Sequence, residues 1–441
     1  MIGTGTRAYF DRETETAAAD MLAALRLRKL RTGLVLLLQR NPFYGARLRA
    51  AGLRDARDVG SLDDLARLPF TTKSEFAADQ EAAPPFGTNL TYPPSEYRRV
   101  LRTSGTTGRP LFWLETEESL RTNAREWASG LVAQGIGPGD RIFFAFSFGP
   151  FMAFWGAWEG ARLVGALTIS GGSQQSLDRL RLLAQCGATV LASTPTYALR
   201  LAEVAAENGI DLRALGVRAT VHGGEPGASI PATKRRIEDL WGARCFDTCG
   251  LTEGGHLGFE CLEAPGDVHL HEDDYVVEVI DPTTGRAARP GERGELVVTN
   301  LERWGMPALR YRTRDLVEIV DQPCDCGRTF RRLRGGIIGR ADDMITVRGV
   351  NVFPSAIEAI VRRHPAIAEF VIDVHRRREM RELELRIEPV PALDAGAVTE
   401  LARQLEQDVH TDLGLRATVT AVAPGALPRF ELKARRLVVH D

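Results

Sequence analysis

The stretch Arg102-Thr-Ser-Gly-Thr-Thr-Gly-Arg-Pro110 packs two glycines and four hydroxyl side chains into nine positions. Glycine lets backbone N–H groups come close to an anion, and Thr103, Ser104, Thr106 and Thr107 add hydroxyl donors of little bulk. This is not a Walker A loop, because no Gly-Lys pair occurs in the chain. Gly105 and Gly108 also lack the spacing of a dinucleotide-binding turn. From these residues alone a phosphate cradle and a solvated turn both remain open, since Ser, Thr and Gly are common loop material.

The flanking sequence favours a fold built on a sheet. Between about 95 and 260, short apolar runs (Arg141–Phe146, Ala166–Ile169, Thr189–Ala192, Ala219–Val221) alternate with helical patterns across Gly-rich joins. That alternation predicts α/β organisation with a buried sheet. Upstream, Leu22, Leu25, Leu27, Leu30 and Leu34 predict an amphipathic helix that stops at Asn41-Pro42. From 268 to 330, strand-like pieces such as Val276–Ile280 and Gly294–Thr299 predict a β-rich subdomain. After Gly335-Gly336, Ser355 with Glu358 reads as a capping box and Ile357, Ile360 and Val361 share a helical face. A strand at Leu383–Ile387, a helix near 397–410 and a strand near 416–422 complete a small α+β unit. The expected fold class is α/β: a large N-terminal α/β domain over 1–338, with its β-rich subdomain, and a small α+β C-terminal domain over 343–441.

The composition of the 441 residues is 44% hydrophobic and 26% charged, with a formal net charge of −2. Such a balance offers no global attraction to nucleic acid or to an anionic membrane surface. The longest early apolar run, Leu34–Leu38, is far shorter than the ~20 residues that span a bilayer, so a cytoplasmic protein is expected. Six cysteines lie in the middle of a long chain, a pattern that suits free thiols or a metal better than a disulfide framework. Of 56 basic residues only Lys29, Lys73, Lys234 and Lys433 are lysines, so each stands out against an arginine background.

Further motifs follow the Gly-Thr stretch in order. They are Gly223-Gly-Glu-Pro226, Thr248-Cys-Gly-Leu-Thr-Glu253, Tyr311-Arg-Thr-Arg-Asp315, Gly339-Arg-Ala-Asp342 and Leu427-Pro-Arg-Phe-Glu-Leu-Lys433. Together with Ser104–Gly108 they resemble the collinear motifs of the adenylate-forming superfamily, the acyl-CoA synthetases and adenylation domains. Leu68-Pro-Phe-Thr-Thr-Lys73, Ser170-Gly-Gly172, Cys324-Asp-Cys-Gly-Arg328 and Gly349-Val-Asn-Val-Phe-Pro354 are similar to the phenylacetate-CoA ligase and aryl-CoA ligase branch.

The resemblance implies roles residue by residue. Thr103, Ser104, Gly105, Thr106, Thr107 and Gly108 would cradle the ATP phosphates. Gly224, Glu225 and Pro226, with Thr248, Cys249, Gly250 and Thr252, would line the nucleotide site. Glu253 would hold Mg²⁺, a hard ion that prefers carboxylate oxygen. Asp315 would accept the ribose hydroxyls with help from Arg340, Asp342 would act in a hinge near 339–342 that makes the C-terminal domain mobile, and Lys433 would be the catalytic cation at the attacked phosphate. Arg314 replaces the usual Gly of the ribose motif, and Cys249 stands where an aromatic residue is usual. Phe146, Phe148, Phe151 and Trp155 follow the first clear strand, where the family builds its substrate wall, although aromatic residues at this density are more often core; of this region Phe148, Gly171 and Gly172 are implied at the acyl pocket.

In this branch Cys261, His269, Cys324 and Cys326 resemble a structural Zn²⁺ site, and three thiolates with one imidazole suit tetrahedral zinc. His271 is an alternative ligand, and simple buried thiols are the bland alternative. The implied activity is an ATP-dependent aryl-CoA ligase: a small aromatic carboxylic acid and ATP give aryl-AMP and pyrophosphate, and CoA then forms the thioester. The runner-up passes the aryl group to an amine or to a carrier-protein thiol. A non-catalytic adenylate sensor is a third reading. A monomer or homodimer is expected, with no nucleic-acid or membrane partner.

Overall fold

The computed structural model describes residues 8–103, 110–289, 291–343, 345–347, 350–377, 380–391, 393–430 and 436–440. The expected first helix forms as Ala19–Arg40 and buries Leu22, Leu30, Leu34 and Leu37. It stops at Asn41, whose side chain accepts the Tyr44 N–H and caps the next helix, Pro42–Ala50, with proline at its first position. Leu30, Leu34 and Leu37 join Tyr44, Phe76, Trp113, Trp304 and Tyr311 in one core. Tyr311 is thereby fixed from behind.

The apolar runs become the strands Arg141–Phe144, Leu167–Ser170, Val190–Ser193 and Ala219–His222. With Arg244–Leu251 they form a parallel array in the order Leu167–Ser170, Arg141–Phe144, Val190–Ser193, Ala219–His222, Arg244–Leu251. Val190–Ser193 and Ala219–His222 are buried at every position. Continuous apolar runs in the sequence reflect that two-sided burial.

The chain reverses after Arg244–Leu251, and Gly255–Glu260 pairs antiparallel with it. The path continues antiparallel through Val268–Leu270, Arg332–Leu333, Tyr311–Val320, Arg293–Asn300 and Tyr275–Ile280. The β-rich stretch therefore extends the parallel array along a single path of strands. Gly339–Arg340 pairs against Tyr311–Val320, setting Arg340 opposite Asp315.

Beyond this lies a second, separate core containing Ile345, Ile357, Phe370, Leu385, Leu405 and Val409. It is formed by the helices Pro354–Val361 and Ala395–Leu413 and a four-stranded sheet ordered Ala417–Ala421, Met380–Pro389, Ile367–Arg377, Leu437–His440. The capping box at Ser355 and Glu358 is not formed. Phe353 occupies the N-cap position and Pro354 starts the helix, because proline is pre-set for a first helical residue and needs no donor there. Ser355 instead donates to the Ile338 carbonyl at 2.6 Å, and Glu358 pairs with Arg436 at 3.2 Å. Among the described residues no helix is long and apolar enough to cross a membrane.

Candidate active site

The parallel strands end along one edge of the sheet, the edge at which open α/β sheets take ligands. After Phe144 the loop turns at Phe148, which has φ 44° and packs its ring 5.1 Å from Trp155 and 5.3 Å from Trp158. Phe146 is buried and stacked on Phe154, as expected of core. The Gly171 N–H donates to the Phe144 carbonyl at 2.8 Å. A Cβ on Gly171 would lie 2.8 Å from that same oxygen, so only glycine permits the approach. Arg179, buried, donates to the Gly172 carbonyl at 2.8 Å and locks the turn.

After Ala219–His222 come Gly223, Gly224, Glu225 and Pro226. The Thr248 hydroxyl donates to the His222 carbonyl at 2.8 Å, and a Cβ on Gly223 would meet that hydroxyl at 2.7 Å. Thr248 and this glycine turn are therefore neighbours. Gly224 and Pro226 are exposed, while Glu225 accepts the Thr196 N–H at 3.0 Å. Burial lowers the His222 pKa to about 3, so its imidazole is neutral.

Residues 252–254 form the turn between Arg244–Leu251 and Gly255–Glu260, and they present Glu253. A Cβ on Gly250 would sit 2.6 Å from the Gly255 carbonyl oxygen, so the hairpin closes only on glycine. The Thr252 carbonyl accepts from Arg303 at 3.3 Å; Arg303 also makes a buried ion pair with Glu115. Glu253 is buried; the Tyr311 hydroxyl donates to its Oε1 at 3.1 Å, and Lys73 Nζ lies 3.8 Å from the same atom. Burial, then the charge of Glu253, pushes the Tyr311 hydroxyl well above its ordinary value, so it stays a donor.

Four residues along the same strand, Asp315 faces Arg340, whose Nη1 is 3.3 Å from Oδ1. The guanidinium also binds Asp342 through Nε and Nη2, both at 2.9 Å. Arg314 has φ 67°, the left-handed backbone for which glycine is the natural residue. Its N–H donates to Glu295 at 3.3 Å and its carbonyl accepts the Ala341 N–H at 2.7 Å. Cys249 is buried against Leu257, Val268 and Leu270. Burial, with Asp247 and Asp315 nearby, holds its thiol well above the ordinary value, so it is an inert core group.

The strands Tyr97–Arg102 and Phe112–Thr116 flank the Gly-Thr stretch and form an antiparallel pair. Thr103 closes its base: its N–H donates to the Leu111 carbonyl at 2.9 Å and its hydroxyl accepts the Leu111 N–H at 2.9 Å. Ser104, Gly105, Thr106, Thr107, Gly108 and Lys433 lie outside the described residues.

Away from this edge, Cys261, His269, Cys324 and Cys326 converge, all buried, with donor atoms within 4.8 Å of one another. Cys261 and Cys324 sulfurs are 3.7 Å apart, and Cys326 Sγ is 3.4 Å from His269 Nε2. A tetrahedral zinc with Zn–S of about 2.3 Å and Zn–N of about 2.0 Å sets these separations at roughly 3.8 and 3.5 Å. The four residues therefore fit such an ion. His269 Nδ1 faces the Phe330 carbonyl at 3.0 Å, which turns Nε2 toward the sulfurs. His271 points elsewhere, its Nε2 3.2 Å from His256 Nδ1.

Residues 15–301 match the model of the AMP-binding enzyme family, and residues 349–440 match that of the AMP-binding enzyme C-terminal domain. The chain is 32% identical over 432 residues to the phenylacetate-coenzyme A ligase of Aromatoleum evansii, covering 96% of each protein. It is 33% identical to that of Pseudomonas putida, covering 95% of this chain and 94% of the other. This chain belongs to the AMP-binding enzyme family, in its phenylacetate-CoA ligase branch. Its fold also follows a solved 2-hydroxyisobutyryl-CoA ligase in the postadenylation state with 2-HIB-AMP, at 33% identity and TM-score 0.93, covering 99% of this chain and 93% of the other. Against the same ligase in the thioesterification state with CoA the identity is 34%, the coverage 99% and 93%, and the TM-score falls to 0.74.

In this AMP-binding enzyme Glu253, on its hairpin turn, and Asp315, on the strand Tyr311–Val320, are thus linked through Tyr311, with Arg340 opposite Asp315. The place of Lys73 beside Glu253 was not foreseen. Its signal was its residue type: Lys29 binds Asp274 and Glu302, and Lys234 binds the buried Glu260, which leaves Lys73 as the described lysine at the candidate site.

Proposed function

We propose that this AMP-binding enzyme is an ATP-dependent aryl-CoA ligase. The carboxylate oxygen of a small aromatic acid attacks the α-phosphorus of ATP, and the bond to pyrophosphate breaks. The CoA sulfur then attacks the acyl carbon of aryl-AMP, and the bond to AMP breaks. The first step exchanges an oxide leaving group, which no thiol can displace, for AMP, which it can.

The observation that carries this reading is that the Tyr311 hydroxyl joins Glu253, on its hairpin turn, to the strand Tyr311–Val320, on which Asp315 faces Arg340. Glu253, with Lys73 beside it, suits a Mg²⁺–phosphate cluster, where a carboxylate serves the ion and an ammonium serves the phosphate. When bound, Mg²⁺ supplies charge neutralisation at the phosphate oxygens. Asp315 offers carboxylate oxygens for the ribose hydroxyls, oriented by Arg340. Thr103, Ser104 to Gly108, Gly224 to Pro226, Thr248, Gly250 and Thr252 form the rest of the nucleotide site. Cys249 contributes only as packing beneath it.

Phe148, with the Gly171-Gly172 turn, forms the acyl wall. Asp342, gripped by Arg340, is the pivot between residues 1–338 and 343–441. Lys433 supplies the cation at the α-phosphate as charge develops. The greater likeness to a postadenylation structure supports an arrangement of the two parts suited to the first half-reaction. Cys261, His269, Cys324 and Cys326 hold a structural zinc ion.

A panel of aromatic acids and short branched hydroxy acids, scored by pyrophosphate release with and without CoA, tests the reading. Turnover should require an aromatic acid and give the CoA thioester. Turnover with aliphatic acids alone, or product only with an amine or a carrier-protein thiol, would overturn it. Lys433→Ala should abolish aryl-AMP formation while sparing thioester formation from supplied aryl-AMP; normal adenylation in that variant would remove Lys433 from its role.

A further inference from the structure

The small C-terminal sheet carries a group of metal-type donors that the reading above leaves unused. Ile367–Arg377 runs parallel to Leu437–His440, pairing Asp373 with Val438 and His375 with His440. Side chains two residues apart on a strand share a face, so Asp373, His375 and the neighbouring His440 project together. On the other flank the antiparallel Met380–Pro389 sets Glu384 opposite Asp373.

The imidazoles of His375 and His440 stack with centroids 4.4 Å apart and planes 9° from parallel. His440 Nε2 lies 2.7 Å from Asp373 Oδ1, and His375 Nε2 lies 3.1 Å from Glu384 Oε2. One donor atom each from Asp373, His375 and His440 falls within 4.8 Å of the others. Two ligands held about 2.1 Å from a tetrahedral ion sit roughly 3.4 Å apart. The Asp373–His440 pair therefore needs to open only slightly.

We propose that Asp373, His375 and His440 form a binding site for a divalent transition metal ion, of the class of Zn²⁺, Ni²⁺ or Cu²⁺. Two imidazoles and one carboxylate suit these borderline ions and not Mg²⁺ or Ca²⁺. The outer partners are already in place. Asp373 is buried, and Arg386 Nε holds its Oδ2 at 2.6 Å while Nη2 lies 3.2 Å from Oδ1. The Thr420 hydroxyl donates to Glu384 Oε1 at 2.9 Å, which keeps Glu384 beside His375 as the nearest further donor. His375 and His440 are partly open to solvent, at 31% and 45% side-chain exposure, so an ion has a path in. Bound there, it cross-links the strand Leu437–His440, which follows the segment carrying Lys433, to the middle of its sheet.

The test uses untagged, full-length protein with the metal content of its cysteine cluster measured and left in place. Ni²⁺ is titrated in competition with a chromophoric chelator, and thermal unfolding is followed with and without the ion. One saturable Ni²⁺ per chain is expected, with affinity reduced about tenfold or more in His375→Ala and in His440→Ala. The exposed helix variant His410→Ala should bind as the parent does. Ni²⁺ should raise the melting temperature of the parent and not of His440→Ala. No saturable binding by the parent, or parent-like affinity in either histidine variant, would overturn the proposal.

Discussion

The Tyr311 hydroxyl donates to Glu253 Oε1 across 3.1 Å, tying the hairpin turn that presents this carboxylate to the strand that presents Asp315. One bond thus sets the spacing of the two acidic groups proposed to serve opposite ends of the nucleotide. Tyr311→Phe removes a single bond to a buried carboxylate, worth about 1 kcal/mol or roughly fivefold in an equilibrium constant. The Mg²⁺ concentration needed for half-maximal pyrophosphate release should rise by about that factor, with the maximal rate changed less. Glu253→Gln should lower the maximal rate itself by about a hundredfold or more. Equal Mg²⁺ dependence in parent and Tyr311→Phe would show that the bond does not position Glu253.

The cysteine cluster gives a second expectation. Its separations of 3.7 and 3.4 Å match a tetrahedral S₃N ion, and only His269 of the two nearby histidines faces the sulfurs. Cys326→Ser or His269→Ala should lower zinc from about one ion per chain toward zero and lower the melting temperature, because a structural site contributes its binding energy to folding. His271→Ala should keep the zinc. Elemental analysis of protein purified without chelator checks all three.

The sheet was legible because fully buried parallel strands must be written as unbroken apolar runs, and Val190–Ser193 and Ala219–His222 are such strands. Glu253 and Asp315 were legible through the motifs that flank them. Their mutual placement was not, since it depends on the Tyr311 hydroxyl and on a hairpin that closes only at Gly250. His269 was named as the ligand through the resemblance alone and His271 stayed an alternative, because residues two apart on a strand share a face. The Phe330 carbonyl and the imidazole of His256 separate them. Ser355 with Glu358 matched a capping pattern, but Pro354 took the first helical position and both side chains found tertiary partners. Arg314 was visible as a departure from the motif; its left-handed backbone explains why glycine is the usual residue there.

Beneath the nucleotide turn, Asp247 is buried, and that burial, followed by the charge of Glu260, raises its pKa from 3.8 to about 7. The folded state therefore binds this proton over a pH range in which the unfolded state has released it. The sign follows: stability contributed by this group is greatest below pH 4, falls as pH rises toward about 7, and is flat above. Asp247→Asn keeps an acceptor for the Thr248 N–H, bonded at 3.0 Å, but no longer titrates. Relative to the parent it should gain stability between pH 5 and pH 8, by an amount of the order of a few kcal/mol. Urea unfolding of both proteins at the two pH values measures the difference.

The contacts between the two parts of the chain give the last expectation. Arg429 reaches from the small domain to Glu203 on the helix Pro195–Glu207 at 3.3 Å, while its other nitrogens bind Glu388. Arg236 of the large domain donates to the Ile367 carbonyl at 3.0 Å, and the buried Arg436 lies 3.5 Å from the Thr196 hydroxyl. These bonds exist in the arrangement that resembles the postadenylation ligase, and a rotation of the small domain would break them. Glu203→Gln weakens the ion pair at a residue outside the proposed nucleotide and acyl sets. Partly buried, the pair is worth about 1 kcal/mol, or roughly fivefold in the balance of arrangements. Aryl-AMP formation should slow while thioester formation from supplied aryl-AMP quickens, each by up to about that factor. Opposite changes in the two half-reactions are the signature of a shifted equilibrium, whereas a loss of fold would slow both. Single-turnover assays of each half-reaction on the same preparation decide between them.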